Sequence, residues 1–143
     1  MKTNPLQIAI IDNDASLYPI YRFYFENVME YELHGIYKSV HDLLSHFGRT
    51  NPDIVVSEVS LAGISGIDGL EYLHKKNEDL KVLMMSKQND FKIIREAFKK
   101  GASGFLTKPL TKERLFNAVE ALDQHGVALE HELVKKIINS FQT

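Results

Sequence analysis

The chain has 143 residues, 44% of them hydrophobic and 25% charged, with no cysteine and a formal net charge of −2. A single domain of this length buries roughly 70% of its unfolded surface without a covalent staple, and the lack of cysteine excludes a disulfide scaffold, a cysteine zinc site and a cysteine nucleophile. The charge balance lacks the basic excess of a domain that binds nucleic acid by itself; no apolar run approaches a membrane span and Met1 to Gln7 has no apolar signal core, so a cytoplasmic protein is expected.

Short strand-like runs alternate with helix-period segments. Ile8-Ala9-Ile10-Ile11 is a continuous apolar run, as expected of a strand covered on both faces. Ser16 suits the cap of the next helix, with Pro19 in its first turn. Tyr18, Tyr21, Phe23, Tyr24 and Phe25 crowd that helix over most of its circumference, so some face the sheet and others offer an exposed aromatic patch. Leu33 to Tyr37 reads as a weaker strand, and Val40 to Phe47 as a short helix closed by Gly48. Ile54-Val55-Val56-Ser57 is a second buried strand, followed by a loop with Gly63, Gly66 and Gly69 and a helix carrying Leu70 and Leu73. Val82-Leu83-Met84-Met85 is a third. Asp90 suits the cap of a helix with Phe91, Ile94 and Phe98 on one face and Gly101 past its end. Gly104-Phe105-Leu106 is a short strand, and Thr111 suits the cap of a helix with Leu115, Val119 and Leu122 inward. These alternating units predict an α/β fold, a doubly wound parallel sheet of five strands, with one extra helix at the C-terminus.

In such sheets functional groups gather at the carboxyl ends of the strands. Asp12-Asn13-Asp14 follow the first strand, Glu58 and Ser60 the third, Ser86 the fourth, and Thr107-Lys108-Pro109 the fifth. Carboxylates suit Mg²⁺, while a lysine and hydroxyls suit phosphoryl oxygens. The six histidines show no ligand spacing. With these stretches in order, together with Asn51 to Val56, Leu61 to Gly66 and Lys100 to Pro109, residues 7 to about 124 resemble the receiver domain of bacterial two-component response regulators. The resemblance implies a flavodoxin-like parallel sheet. It also implies an aspartate after the third strand that takes a phosphoryl group from a histidine kinase. Two acidic residues after the first strand would help hold Mg²⁺, and Ser86 and Lys108 would bind phosphoryl oxygens. Phe105 would occupy a switch position, and Gly66 belongs to the matching loop.

Several residues depart from that pattern. The acceptor position carries Glu58, the second acidic position Asn13, the position after Ser86 a lysine (Lys87), and the loop Ala62 in place of proline. Ser57 falls on the opposite sheet face, and Asp53 lies about five residues back, roughly 16 Å along the strand. Asn13 removes a charge from the acidic pocket of Asp12, Asn13, Glu58 and Ser60, so a weakened Mg²⁺ site with no required cofactor is expected. Glu58 reaches one methylene further than aspartate, towards a charge-assisted hydrogen bond from Lys108 or a hydrogen bond from Ser86. The expectation is a pseudo-receiver, not an enzyme, that is insensitive to phosphorylation at Glu58. Ordinary phosphotransfer is the alternative. A further alternative is a haloacid-dehalogenase-type phosphohydrolase using Asp12 as nucleophile, but that signature needs another acidic pair at a strand end after the lysine, and none stands there.

The receiver is expected over residues 1–124 and an extension over 125–143. Gln124 to Val127 reads as a turn and Leu129 to Phe141 as an amphipathic helix, whose apolar face needs a partner surface: this domain, a second copy or another domain. Leu115 to Val134 resembles the linker of LuxR-type regulators. The chain is therefore expected to be the receiver part of a transcriptional regulator that reaches DNA through an output domain absent from these residues. Pairing into a homodimer would involve Phe91, Phe98, Phe105 or the final helix.

Overall fold

The computed structural model describes residues 4–48 and 51–142. Part of the Met1 to Gln7 segment, and the two ends of the expected domain ranges, therefore lie outside the described residues. β1 (Leu6–Ile11), α1 (Tyr18–Phe25), β2 (Tyr31–Tyr37), α2 (Val40–Leu44), β3 (Ile54–Glu58) and α3 (Gly66–Lys76) form the first half. β4 (Lys81–Ser86), α4 (Phe91–Lys99), β5 (Gly104–Thr107), α5 (Lys112–His125), β6 (Ala128–Leu129) and α6 (His131–Ser140) form the second. All strand pairs are parallel, in the order β2-β1-β3-β4-β5-β6. The chain reverses its winding between β2 and β3, so the carboxyl ends of β1 and β3 flank the switch point at which such folds place their sites.

Side chains alternate across the sheet and build two cores. Ala9, Ile11, Val55, Val82, Met84 and Phe105 meet α2, α3, α4 and Leu133 of α6 on one face. Ile8, Ile10, Ile54, Val56, Leu83, Met85 and Leu106 meet α1 and α5 on the other. Of the α1 aromatics, Tyr21 and Phe25 are buried, Tyr18 and Tyr24 half-buried, and Phe23 is 65% exposed.

Three local expectations are corrected. The sheet has six strands, not five: Gly126 ends α5 in the left-handed conformation (φ 79°), and Ala128–Leu129 then pair with Gly104–Phe105. A two-residue strand carries no periodicity, and only its neighbour makes it one; α6 consequently starts at His131 rather than Leu129. Asp14, not Ser16, accepts the capping bond, from Ser16 N, at the head of a 3-10 turn over Ala15–Leu17 that precedes α1. α2 stops at Leu44, where the Ser45 hydroxyl bonds the Asp42 carbonyl.

Candidate functional site

The strand parity that builds the α1/α5 core also builds the site. Asp12 continues the column of Ile8 and Ile10, Glu58 that of Ile54 and Val56, and Lys108 that of Leu106. Past the strand ends these columns turn polar, beneath α1. Asp12 is fully buried and Glu58 7% exposed.

Lys108 lies between the two carboxylates. Its Nζ is 2.9 Å from Asp12 Oδ2 and 2.8 Å from Glu58 Oε2. The Asp12 contact is a hydrogen bond; that with Glu58 is an ion pair without hydrogen-bond alignment at Oε2. Burial works to lower the Lys108 pKa, but Glu58 and Asp12 outweigh it and hold the ammonium above its ordinary value, so it stays charged throughout the neutral range. At an effective dielectric of 20, each pair attracts by about 6 kcal/mol, and desolvation offsets much of that.

Asp12 is engaged on both oxygens. Oδ1 accepts the Asp14 amide at 2.9 Å, and Oδ2 accepts the Tyr21 hydroxyl at 2.7 Å in addition to Lys108. Burial, and then the hydrogen bond to Asp12, push the Tyr21 phenol far above its usual pKa, so it remains a donor. The Tyr18 hydroxyl donates to the Asp12 carbonyl, and the Tyr24 hydroxyl to Leu110 O at 2.9 Å. Three tyrosines of one helix thus tie α1 to the loops that carry Asp12 and Lys108.

The remaining predicted residues fall around this triad. Ser60 is exposed, and its backbone amide lies 3.4 Å from Glu58 Oε1. Ser86 is buried at the end of β4, where its hydroxyl accepts the Gln88 amide at 3.0 Å; it is Lys108 that faces Glu58. Asn13 and Lys87 are exposed. Gly66 opens α3, and a Cβ there would lie 2.0 Å from the Glu58 carbonyl oxygen, so glycine permits the close approach that holds the β3 end. Phe105 is fully buried among Ile94, Ala97 and Leu133, which corrects its candidacy as a surface residue for pairing.

Receiver domains typically bind Mg²⁺ in this region. The residues present here do not fit it. Both Asp12 oxygens are already taken by Tyr21, Lys108 and the Asp14 amide. The neighbouring position offers the amide of Asn13 rather than a second carboxylate, and an ammonium already faces Glu58. Among the described residues no group of three or more His, Cys, Asp or Glu side chains could hold a metal.

Two connections escaped the sequence reading. Arg114 pairs with the Glu130 carboxylate through Nε (2.8 Å) and Nη2 (2.6 Å), and donates to the carbonyls of Thr107 and Pro109 on either side of Lys108. The Glu130 bond holds the Arg114 guanidinium above its usual pKa, and Arg114 in turn holds Glu130 below its own. Lys136 of α6 donates to Asn89 Oδ1 at 2.7 Å, and Asn89 Nδ2 donates to the Thr107 hydroxyl at 3.0 Å. The available signal was the spacing of Arg114 and Glu130 across a turn, but nothing in the sequence says that the chain folds back there.

The fold, the strand-end cluster and the loop order are those of a receiver-type signalling domain. Residues 8–120 match the response regulator receiver domain family, and the chain belongs to it. It is 23% identical to the transcriptional regulatory protein DegU of Brevibacillus brevis, over 97% of this chain and 59% of that protein. It is 30% identical to the transcriptional regulatory protein LnrK of Bacillus subtilis, over 64% of this chain and 41% of that one. The chain thus spans about half the length of these relatives. Its fold is shared by a LuxR-family two-component response regulator from Aurantimonas (TM-score 0.87, 22% identity, 97% and 99% of the two chains). The isolated receiver domain of RcsB from Salmonella enterica serovar Typhimurium shares it too (TM-score 0.82, 15% identity, 93% and 99%). No helix of the described residues is long and apolar enough to cross a membrane.

Proposed function

We propose that this chain is an atypical receiver whose Glu58 stands in the phospho-acceptor position and which signals by protein contact without phosphorylation there. The observation that carries the reading is the Lys108 ammonium, 2.9 Å from Asp12 and 2.8 Å from Glu58. Lys108 and Ser86 are the residues that would otherwise meet phosphoryl oxygens, and in this reading the ammonium is committed to Glu58 instead. The carboxylate carries one charge in a planar group, so it reproduces a phosphorylated aspartate only in part. Phe105 of β5, buried against α4 and Leu133 of α6, is read as the switch position, held in one state. Mg²⁺ is not required.

Residues 1–124 are read as the receiver and 125–143 as its extension. The DegU and LnrK names, and the LuxR-family neighbour, support a role in transcription control. DNA would be reached through an output domain, and the partner would be a histidine kinase or another signalling protein of the cytoplasm.

The deciding experiment is intact-mass measurement after incubation with acetyl phosphate and Mg²⁺, for the wild type and for Glu58→Asp. The expected result is a phosphoryl adduct on the variant alone. An adduct on wild-type Glu58 would restore ordinary phosphotransfer and overturn the reading, and one mapped to Asp12 would favour the phosphohydrolase alternative. With no adduct on either, Asn13 and Lys87 would share in disabling the pocket, and the domain would remain a binding module.

A further inference from the structure

Asp12 Oδ2 receives two donors that differ in freedom. The Lys108 ammonium stands at the end of a flexible four-carbon stem. The Tyr21 hydroxyl, 2.7 Å from the same oxygen, is carried by a ring that is 2% exposed and packed in the α1/α5 core. That hydroxyl also meets Met85 Sδ at 3.8 Å, a weak acceptor. α1 itself is fastened to two loops: the Tyr18 hydroxyl donates to the Asp12 carbonyl, and the Tyr24 hydroxyl to Leu110 O at 2.9 Å. An ammonium on a flexible stem can swing off Oδ2. The phenol cannot leave without moving the helix that carries it. The neighbouring carboxylates offer a cation little else. Asp14 Oδ1 is committed to the Ser16 amide (3.1 Å) and the Ser16 hydroxyl (2.5 Å). Glu58 Oε2, in a side chain 9% exposed, faces the Lys108 ammonium without hydrogen-bond alignment.

We infer that Tyr21 closes the acidic pocket to divalent cations, as a positioning residue that fixes Asp12 Oδ2 and keeps it from a metal. A carboxylate oxygen has two lone pairs, and here Tyr21 and Lys108 take both. A hydrogen-bond donor and a cation compete for the same lone pairs, and the immobile donor decides the outcome. A cation that displaced it would leave a buried hydroxyl with only a thioether to meet, which is costly for a buried donor. The missing charge at Asn13 is then not the deciding departure: an aspartate there adds a ligand but leaves the fixed donor in place. The role assigned to Tyr21 rests on reading Asp12, Asn13 and Glu58 as the receiver's acidic pocket, and it holds whether or not Glu58 accepts a phosphoryl group.

The test uses the full chain and the metal alone, with no phosphoryl donor. Mn²⁺ is titrated, and its free electron paramagnetic resonance signal is followed, for the wild type, for Asn13→Asp, and for Asn13→Asp combined with Tyr21→Phe. Phenylalanine keeps the ring in the core, so the combined variant should fold; an unchanged far-UV spectrum and a cooperative melt check this. The expected result is no saturable binding by the wild type, weak binding at most by Asn13→Asp, and an apparent affinity about tenfold tighter or more once Tyr21→Phe is added. The combined variant should also melt higher when Mg²⁺ is present, as a ligand of the native state requires, and Asp12→Asn in that background should abolish both effects. Equal affinity of Asn13→Asp with and without Tyr21→Phe would overturn the proposal and make Asn13 the deciding residue. So would a combined variant that binds no metal, which would leave Lys108 as the group that closes the pocket, or binding that survives Asp12→Asn, which would place the metal elsewhere. The phosphorylation reading is decided by the phosphoryl adduct on Glu58, a separate readout, so either can fail while the other stands.

Discussion

Among the described residues, Lys108 is the one cation paired with two buried carboxylates, Asp12 and Glu58, and that makes it a costly side chain to remove. Truncation leaves Asp12 and Glu58 buried with no cation between them, a situation worth about 3–5 kcal/mol for buried ion pairs. Lys108→Ala is therefore expected to lower the urea midpoint by that equivalent, with Glu58→Gln recovering part of the loss because it removes one of the stranded charges. A change below about 1 kcal/mol would mean that water reaches the triad and screens it, as at exposed pairs. Tyr21 adds a neutral donor on the same Asp12 oxygen, so both oxygens of Asp12 are satisfied from within the chain.

At the scale of elements, α6 is tied to the β5–α5 loop by the Arg114–Glu130 pair. Both side chains are about one-third exposed, so the pair contributes modestly. Its pH dependence has a definite sign. The folded-state pKa of Glu130 is depressed below its ordinary 4.5, so its contribution is full above that value and is lost as pH falls through the folded value. The wild type should therefore lose more stability than Glu130→Gln as pH falls below 4.5, the other carboxylates titrating alike in both. Comparing thermal unfolding of the two proteins across that range measures it, and parallel curves would show that the pair carries no linked proton. The same connection places the N-terminal end of α6 one residue, Arg114, away from the carbonyls flanking Lys108.

Across the whole molecule, the extension is not an appendage. Leu133 belongs to the core of Phe105, Ile94 and Ala97, so α6 shares the hydrophobic centre of one sheet face. Leu133→Ala is expected to cost about 2–5 kcal/mol, the range for a buried leucine that leaves a cavity, and to shift a single cooperative transition. The check is coincidence of the far-UV and tyrosine-fluorescence melts. If α6 were loosely attached, the variant would instead show an early, separate loss of helix signal with the sheet's midpoint unmoved.

Much of this was legible in the chain itself. Continuous apolar runs, the Asp90 and Thr111 caps, the glycines after helices and the polar residues at strand ends led to a parallel α/β sheet with Asp12, Glu58 and Lys108 on one edge, because strand periodicity and capping are local. The register of β6 and the beginning of α6 were not legible, since a two-residue strand exists only by pairing with Gly104 and Phe105. Nor was the choice of partner for Glu58: sequence offered Lys108 or Ser86, and packing set the Lys108 ammonium against it while Ser86 turned to the Gln88 amide. Tyr21, read only as one aromatic in a crowded helix, became a ligand of Asp12 because α1 lies over the same sheet face. The sequence by itself determined the residue types at the strand ends and the periodicities that bring them to one edge. Only the tertiary structure decided which oxygen each donor meets and how far Leu133, Ile137 and Phe141 are covered, because those depend on distances between elements far apart in the chain.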